Sequence, residues 1–144
     1  MRATEGFFKE ESDDYMKFIN CALEIEKEYI LKSSKTDITF KWFIASDSEK
    51  VKESIIGYTG EKAFTFNGTI SANKDKFRLA VIDVELLSKC DEVIVTSGST
   101  FGWLAAMKML KMPFYVNGRS SMEKCLRTDL SHPPVNPFNR AVFK

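Results

Sequence analysis

The sequence predicts an α/β domain built on a Rossmann-like parallel sheet flanked by helices. Short β-branched or aromatic runs at 38–45, 63–67, 92–96 and 114–116 alternate with helical segments. Such alternation implies βαβ units with right-handed crossovers. An amphipathic segment precedes the first strand, and a turn of small hydroxylated residues follows the third. A turn of that composition, between a strand end and a helix start, offers unpaired N–H donors and a favourable dipole to an anion. Ligands of open α/β sheets bind at this carboxyl edge.

Residues 12–32 place Tyr15, Phe18, Ile19, Ala22, Ile25, Tyr29 and Ile30 three and four apart, with charged residues between them, which predicts an amphipathic helix capped by Ser12 or Asp13. A loop at 33–37 leads to the run Ile-Thr-Phe-Lys-Trp-Phe-Ile-Ala at 38–45, a buried strand. Ser46 followed by Glu49 matches a capping box and starts a short helix that ends near Gly57 or Gly60. Residues 63–67 alternate as a second strand, 68–74 are a polar loop, and 77–90 form a helix with Leu79, Ile82, Leu86 and Leu87 inward. The third strand is 92–96. The helix from about 99 to 111 is apolar almost all round, so it is expected to be well covered by its neighbours. Lys108 and Lys111 suit its last turns, and Pro113 cannot continue it. The fourth strand is 114–116. From about Gly118 the chain reads as an irregular tail with Pro133, Pro134 and Pro137.

The 144 residues suffice for one domain with a real core. A net charge of +1 with no basic block gives no support to nucleic-acid binding by bulk charge. No apolar run is long enough for a membrane span, and residues 1–8 lack a signal-peptide core. Cys21, Cys90 and Cys125 show no metal spacing. Three buried thiols are the expectation, with one disulfide and a leftover thiol as the other arrangement. Asn67-Gly-Thr is a glycosylation sequon, relevant only in a secretory compartment. His132 is the one histidine, so a triad or a His-based metal site is not expected.

The turn Thr-Ser-Gly-Ser-Thr-Phe-Gly at 96–102 is the strongest local signal. Gly98 permits a left-handed backbone, and Gly102 lets the helix approach its neighbours closely. Ser97, Ser99 and Thr100 can donate to phosphate oxygens. Neither a Walker loop nor a Gly-x-Gly-x-x-Gly fingerprint is present. By pattern alone the turn fits a phosphate cradle and a plain helix cap equally well.

Residues 95–105, Val-Thr-Ser-Gly-Ser-Thr-Phe-Gly-Trp-Leu-Ala, resemble the last conserved motif of GDP-fucose-dependent fucosyltransferases, above all the plant xyloglucan type. Ser121-Met-Glu-Lys-Cys125 and His132-Pro-Pro134 look like the segment that follows in that group. Phe43-Ile-Ala-Ser-Asp47 is similar to the superfamily's second motif, and Arg2 stands where the first motif's arginine lies. The resemblance implies the C-terminal, donor-binding half of a GT-B fold, and an inverting, metal-independent transfer of fucose from GDP-fucose to a galactoside or other glycan acceptor. It implies that Arg2 neutralises the departing diphosphate. Asp47 would hold the guanine edge, and Ser97, Gly98, Ser99, Thr100 and Phe101 would line the phosphates and sugar. A guanidinium suits the first task because charge builds on the β-phosphate as the glycosyl bond breaks. The resemblance also implies the Golgi lumen.

The chain begins at the arginine motif, so it is expected to be a donor-binding domain whose acceptor side comes from a missing domain or a partner chain. Two other functions are compatible with the residues. One is a non-catalytic nucleotide-binding or partner-binding α/β module. The other is an enzyme of a different nucleotide sugar, such as a UDP-sugar. Asp47 also fits a helix cap, Phe101 a buried aromatic, and Arg2 a solvated terminal charge.

Overall fold

The computed structural model describes residues 14–33, 37–66, 73–96, 99–116 and 125–127. Their order is α1 (Asp14–Lys32), β1 (Trp42–Phe43), α2 (Glu49–Thr59), β2 (Ala63–Phe64), α3 (Asn73–Leu87), β3 (Ile94–Thr96), α4 (Thr100–Met109), β4 (Phe114–Val116) and β5 (Leu126–Arg127), with a 3-10 turn at Gly60–Lys62. β1 pairs with β2 in parallel, and β3 pairs with β4 in parallel. β5 then pairs with β4 in the antiparallel sense, so the strands form a two-stranded and a three-stranded sheet and the second is mixed. Among the described residues the architecture is mixed α/β, with four helices.

Period-2 alternation sorts the strand side chains into two cores. Trp42, Ile44, Ala63, Ile94 and Val116 pack with Phe18, Ile19, Cys21 and Ala22 of α1 and Ile55 of α2. Phe43, Ala45, Val93 and Val95 pack instead with Val84 and Leu87 of α3 and Ala105 and Ala106 of α4. β1 and β3 therefore contribute to both cores, with α1 and α2 on one face and α3 and α4 on the other. Ile19, Ile44, Ile55 and Leu87 are almost wholly buried, and each such side chain contributes about 1.5–3 kcal/mol.

The first helix begins at Asp14 in the described chain, and the expected caps Ser12 and Asp13 lie outside the described residues. The strand expected over 38–45 pairs only at 42–43, with a further bond from the Ile44 N–H to the Phe64 carbonyl at 2.8 Å. The capping box expected at Ser46 is displaced. Ser48 is the N-cap of α2, and its hydroxyl accepts the Val51 N–H at 3.4 Å, while the Ser46 hydroxyl accepts the Ser48 N–H at 3.1 Å. Gly57 continues α2 and Gly60 ends it, with φ +60°, a conformation that costs glycine little. Asn73 and Lys74 belong to α3 rather than to the preceding loop. Its buried side chains are Val84 and Leu87. Leu86 is exposed, while its expected neighbour Leu87 is buried.

Two further expectations are corrected. α4 is covered on one face only, and Leu104 and Met107 are exposed, so its apolar composition exceeds its burial. The region after Gly118 is not wholly irregular, since β5 joins the sheet. A disulfide between Cys21 of α1 and Cys125, with the Cα atoms 5.0 Å apart, ties that strand to the helix layer. Three free thiols are thereby ruled out, and Cys90 is the free one. No helix among the described residues is long and apolar enough to cross a membrane.

Candidate functional site

The candidate site is the edge at which β1 and β3 end. The segments leading into β1 and β3 border one cleft on the opposite side. From that edge α2 departs along one face and α4 along the other, because Ile55 lies in the first core and Ala105 and Ala106 in the second. Both helices present capped N-termini there. In open α/β sheets, ligands bind outside the carboxyl ends of strands whose helices leave to opposite faces.

The β1–α2 turn is short because Ile44 and Ala45 are buried, Ser46 is buried with its hydroxyl on the Ser48 N–H, and Ser48 starts the helix. Asp47 lies between the two serines and is exposed. The first turn of α2 brings Glu49, whose carboxylate takes Lys52 at 2.8 Å.

The β3–α4 turn is tighter. The Ser99 N–H donates to the Thr96 carbonyl at 3.0 Å, and the Ser99 hydroxyl accepts the Gly102 N–H at 3.3 Å. Ser99 is the N-cap of α4 and is 3% exposed. Thr100 is exposed in the first helical turn. Phe101 is half-buried and packs against the second core, beside α3 and β3. Gly102 is where α4 meets β3. A Cβ there would lie 2.5 Å from Val95 Cγ1 and 2.8 Å from Val95 Cβ, so only glycine lets the helix start this close to the strand. Ser97, Gly98 and Arg2 lie outside the described residues.

Asp47 thus lies in the β1–α2 turn, and Ser99, Thr100 and Phe101 lie at the start of α4, after β3, which belongs to the other sheet. One residue of the second turn carries no role in the sequence analysis. Thr96 is 4% exposed, and its hydroxyl has no hydrogen-bond partner among the described residues. Its sequence signal was available, since it is a threonine at a strand end in register with a buried apolar run.

The opposite ends of the strands hold a cleft of about 370 Å³, bounded by Ile25, Glu26, Tyr29, Phe40, Glu92 and Lys111 among others. Its polar wall is partly engaged within the protein, but the Glu92 Oε2 atom is buried with no hydrogen-bond partner among the described residues. Glu26 accepts the Trp42 indole N–H and the Lys62 ammonium, each at 2.6 Å, and Lys62 lies 4.7 Å from the centre of the Trp42 ring. Lys111 donates to the Asp91 carbonyl at 2.7 Å, and Arg127 pairs with Glu92 at 2.7 Å. These bonds fix α1 to β1 and β5 to the start of β3. The thiol of Cys90 also borders this cleft, and burial pushes its pKa up.

Among the described residues, no group of three or more His, Cys, Asp or Glu side chains is placed to hold a metal ion. No protein-family model matches the chain, and no curated protein or solved structure is similar to it.

Proposed function

We propose that the chain is the donor-binding domain of a GDP-fucose-dependent fucosyltransferase, a Rossmann-like unit of the kind that forms one half of a GT-B enzyme. The observation that supports this reading is the pair of short strand-to-helix turns, each ending in a serine-capped helix, whose helices pack on different cores. The two turns hold the residues on which the resemblance rests, Asp47 in one and Ser99, Thr100 and Phe101 in the other. A diphosphate between them meets the N-terminus of α4, and a base lies toward Asp47, whose carboxylate can accept two hydrogen bonds from the guanine edge.

In this reading the acceptor hydroxyl attacks the anomeric carbon on the face opposite GDP. The C–O bond to the diphosphate breaks, GDP leaves with the electron pair, and the configuration inverts. Arg2, by resemblance, neutralises the departing diphosphate, the task a metal performs in other transferases. The acceptor side belongs to a further domain or a partner chain. The Cys21–Cys125 disulfide suits an oxidising compartment, in keeping with the Golgi lumen that the resemblance implies.

Thermal denaturation with GDP and with UDP tests the reading. A ligand at one hundred times its Kd stabilises by about 2.7 kcal/mol, or roughly 8 °C for a domain of this size. GDP is expected to produce that shift and UDP is not. A shift with UDP alone transfers the site to another nucleotide sugar, and no shift with either removes the proposal. GDP binding without hydrolysis or transfer of GDP-fucose, even with an acceptor domain supplied, marks a non-catalytic module.

A further inference from the structure

Independently of the donor site, we propose that the space between β1 and β3 is a slot for one further β-strand. Its occupant is an extended apolar segment of a partner polypeptide, which pairs with the free edge of β3 and fills the space beside β1. β2 pairs with one edge of β1, and β4 pairs with one edge of β3. No backbone hydrogen bond among the described residues joins residues 38–46 to residues 92–96, so the sheets part between β1 and β3. Yet both cores run across the parting. Trp42 and Ile44 share the first with Ile94, and Phe43 and Ala45 share the second with Val93 and Val95. A strand layer that is split between two continuous cores lacks a member in its middle rather than at its rim.

The slot has the surroundings of a central strand in an α/β sheet, a helix on each face and a strand segment on each side. Its cleft of about 370 Å³ is bounded by Ala22 and Ile25 of α1 on one face and by Leu87 of α3 on the other. Residues 38–43 bound one side, and Glu92 and Ile94 bound the other. The Phe114 N–H donates to the Val93 carbonyl at 3.0 Å, so Val93 turns its carbonyl to β4. Neighbouring residues of a strand turn their backbone groups to opposite sides, so Ile94 turns its N–H and carbonyl away from β4 and toward the slot. Ile94 is buried, and buried backbone groups call for partners. An extended chain supplies them by strand addition, and apolar side chains on its two faces meet α1 and α3.

The source follows from composition. A strand covered on both faces reads as a near-continuous apolar run. Residues 1–13 carry Arg2, Glu5, Lys9, Glu10 and Glu11. Residues 67–72 and 117–124 are mostly polar and each contain a glycine, and 128–144 contain Pro133, Pro134 and Pro137. Glycine and proline both weaken a central strand. None of these segments is such a run, so the occupant comes from another polypeptide.

The probe is the synthetic peptide Lys-Val-Val-Ile-Val-Val-Lys, with Lys-Val-Val-Pro-Val-Val-Lys as its control, because proline removes a ladder donor. Amide exchange at Ile94 is followed by NMR on the full chain, together with alkylation of Cys90, whose thiol borders the same cleft. In excess strand peptide the Ile94 N–H is expected to exchange about tenfold slower or more, and Cys90 to react more slowly. The proline peptide should change neither rate. Unchanged exchange at Ile94 in excess strand peptide overturns the inference. Equal slowing by both peptides also overturns it, since the contact is then not strand pairing. An Ile94 N–H that is as protected before peptide is added as that of Val95, which pairs with Tyr115 of β4, overturns it as well, because the chain then fills the slot itself. GDP affinity enters none of these outcomes, so the donor-domain reading stands or falls separately.

Discussion

Gly102→Ala is the substitution whose outcome the packing fixes most sharply. Carbon atoms in good contact sit about 3.5–4.0 Å apart. The added methyl would lie 2.5 Å from Val95 Cγ1 and 2.8 Å from Val95 Cβ. A rotamer change at Val95 relieves only the first contact, and β-branched χ1 is stiff. The second contact involves the Cβ itself, so α4 must move away from β3 by about 1 Å. Overpacking of this kind costs about 1–3 kcal/mol, and a site with no rotamer escape belongs at the upper end. Alanine returns about 1 kcal/mol of helix propensity, which leaves a net loss of about 2 kcal/mol. For a domain of this size that is a fall in Tm of about 6 °C.

Gly57→Ala is the internal control. Gly57 lies inside α2, and nothing stands within 4 Å of its added methyl, so propensity acts alone and Tm should rise by about 2–3 °C. Calorimetry on wild type and the two variants reads the difference in sign. Combining Gly102→Ala with Val95→Ala removes the Cγ1 contact, so the two losses should add to less than their sum by at least about 0.5 kcal/mol. The reasoning fails if Gly102→Ala stabilises as Gly57→Ala does, because α4 then is not seated on Val95 at this distance. The displaced helix start should also weaken GDP binding, which ties the packing to the proposed donor site.

Two further outcomes follow from the cysteines. The Cys21–Cys125 bond spans a sequence separation of 104. Closing a loop of about that length constrains the unfolded chain by ~4.7 kcal/mol in the chain-entropy account, so a Cys21→Ser, Cys125→Ser double variant should melt about 15 °C lower. A fall of less than a few degrees would show that this link does not constrain the unfolded chain. Cys90 should be the thiol that reacts in the folded, unreduced protein. Because burial raises its pKa, less of it is thiolate at pH 8 than in an open chain. Its alkylation by iodoacetamide should accelerate on urea unfolding, and in the folded protein should climb at higher pH than for a free cysteine. Equal rates folded and unfolded at pH 8 would place the thiol in water.

The strands and helices were legible where one physical signal dominated. Residues 114–116 form the strand expected of them, since Pro113 ends the preceding segment and Phe-Tyr-Val follows. The amphipathic repeat of α1 was equally plain as far as Ile25, whereas Tyr29 and Ile30, expected on the same face, are exposed. The start of α2 was not, because Ser46 and Ser48 both have cap chemistry, and the depth of Ala45 and Ser46 in the core makes Ser48 the cap. The inward face of α3 was misjudged at Leu86 for a related reason. Several overlapping apolar stripes run along that helix, and only the position of β3 and α4 selects Val84 and Leu87.

The sequence by itself determined that this is an α/β chain, that a hydroxyl-rich turn joins β3 to α4, and that a glycine there permits close approach. These are local properties, set by periodicity, turn chemistry and the missing Cβ of glycine. Tertiary structure decided that Cys21 meets Cys125, that β5 closes the second sheet in the antiparallel sense, and that the Thr96 hydroxyl is buried without a partner. Each depends on which distant segments pack together, and the pattern of residues along one strand or helix leaves that choice open.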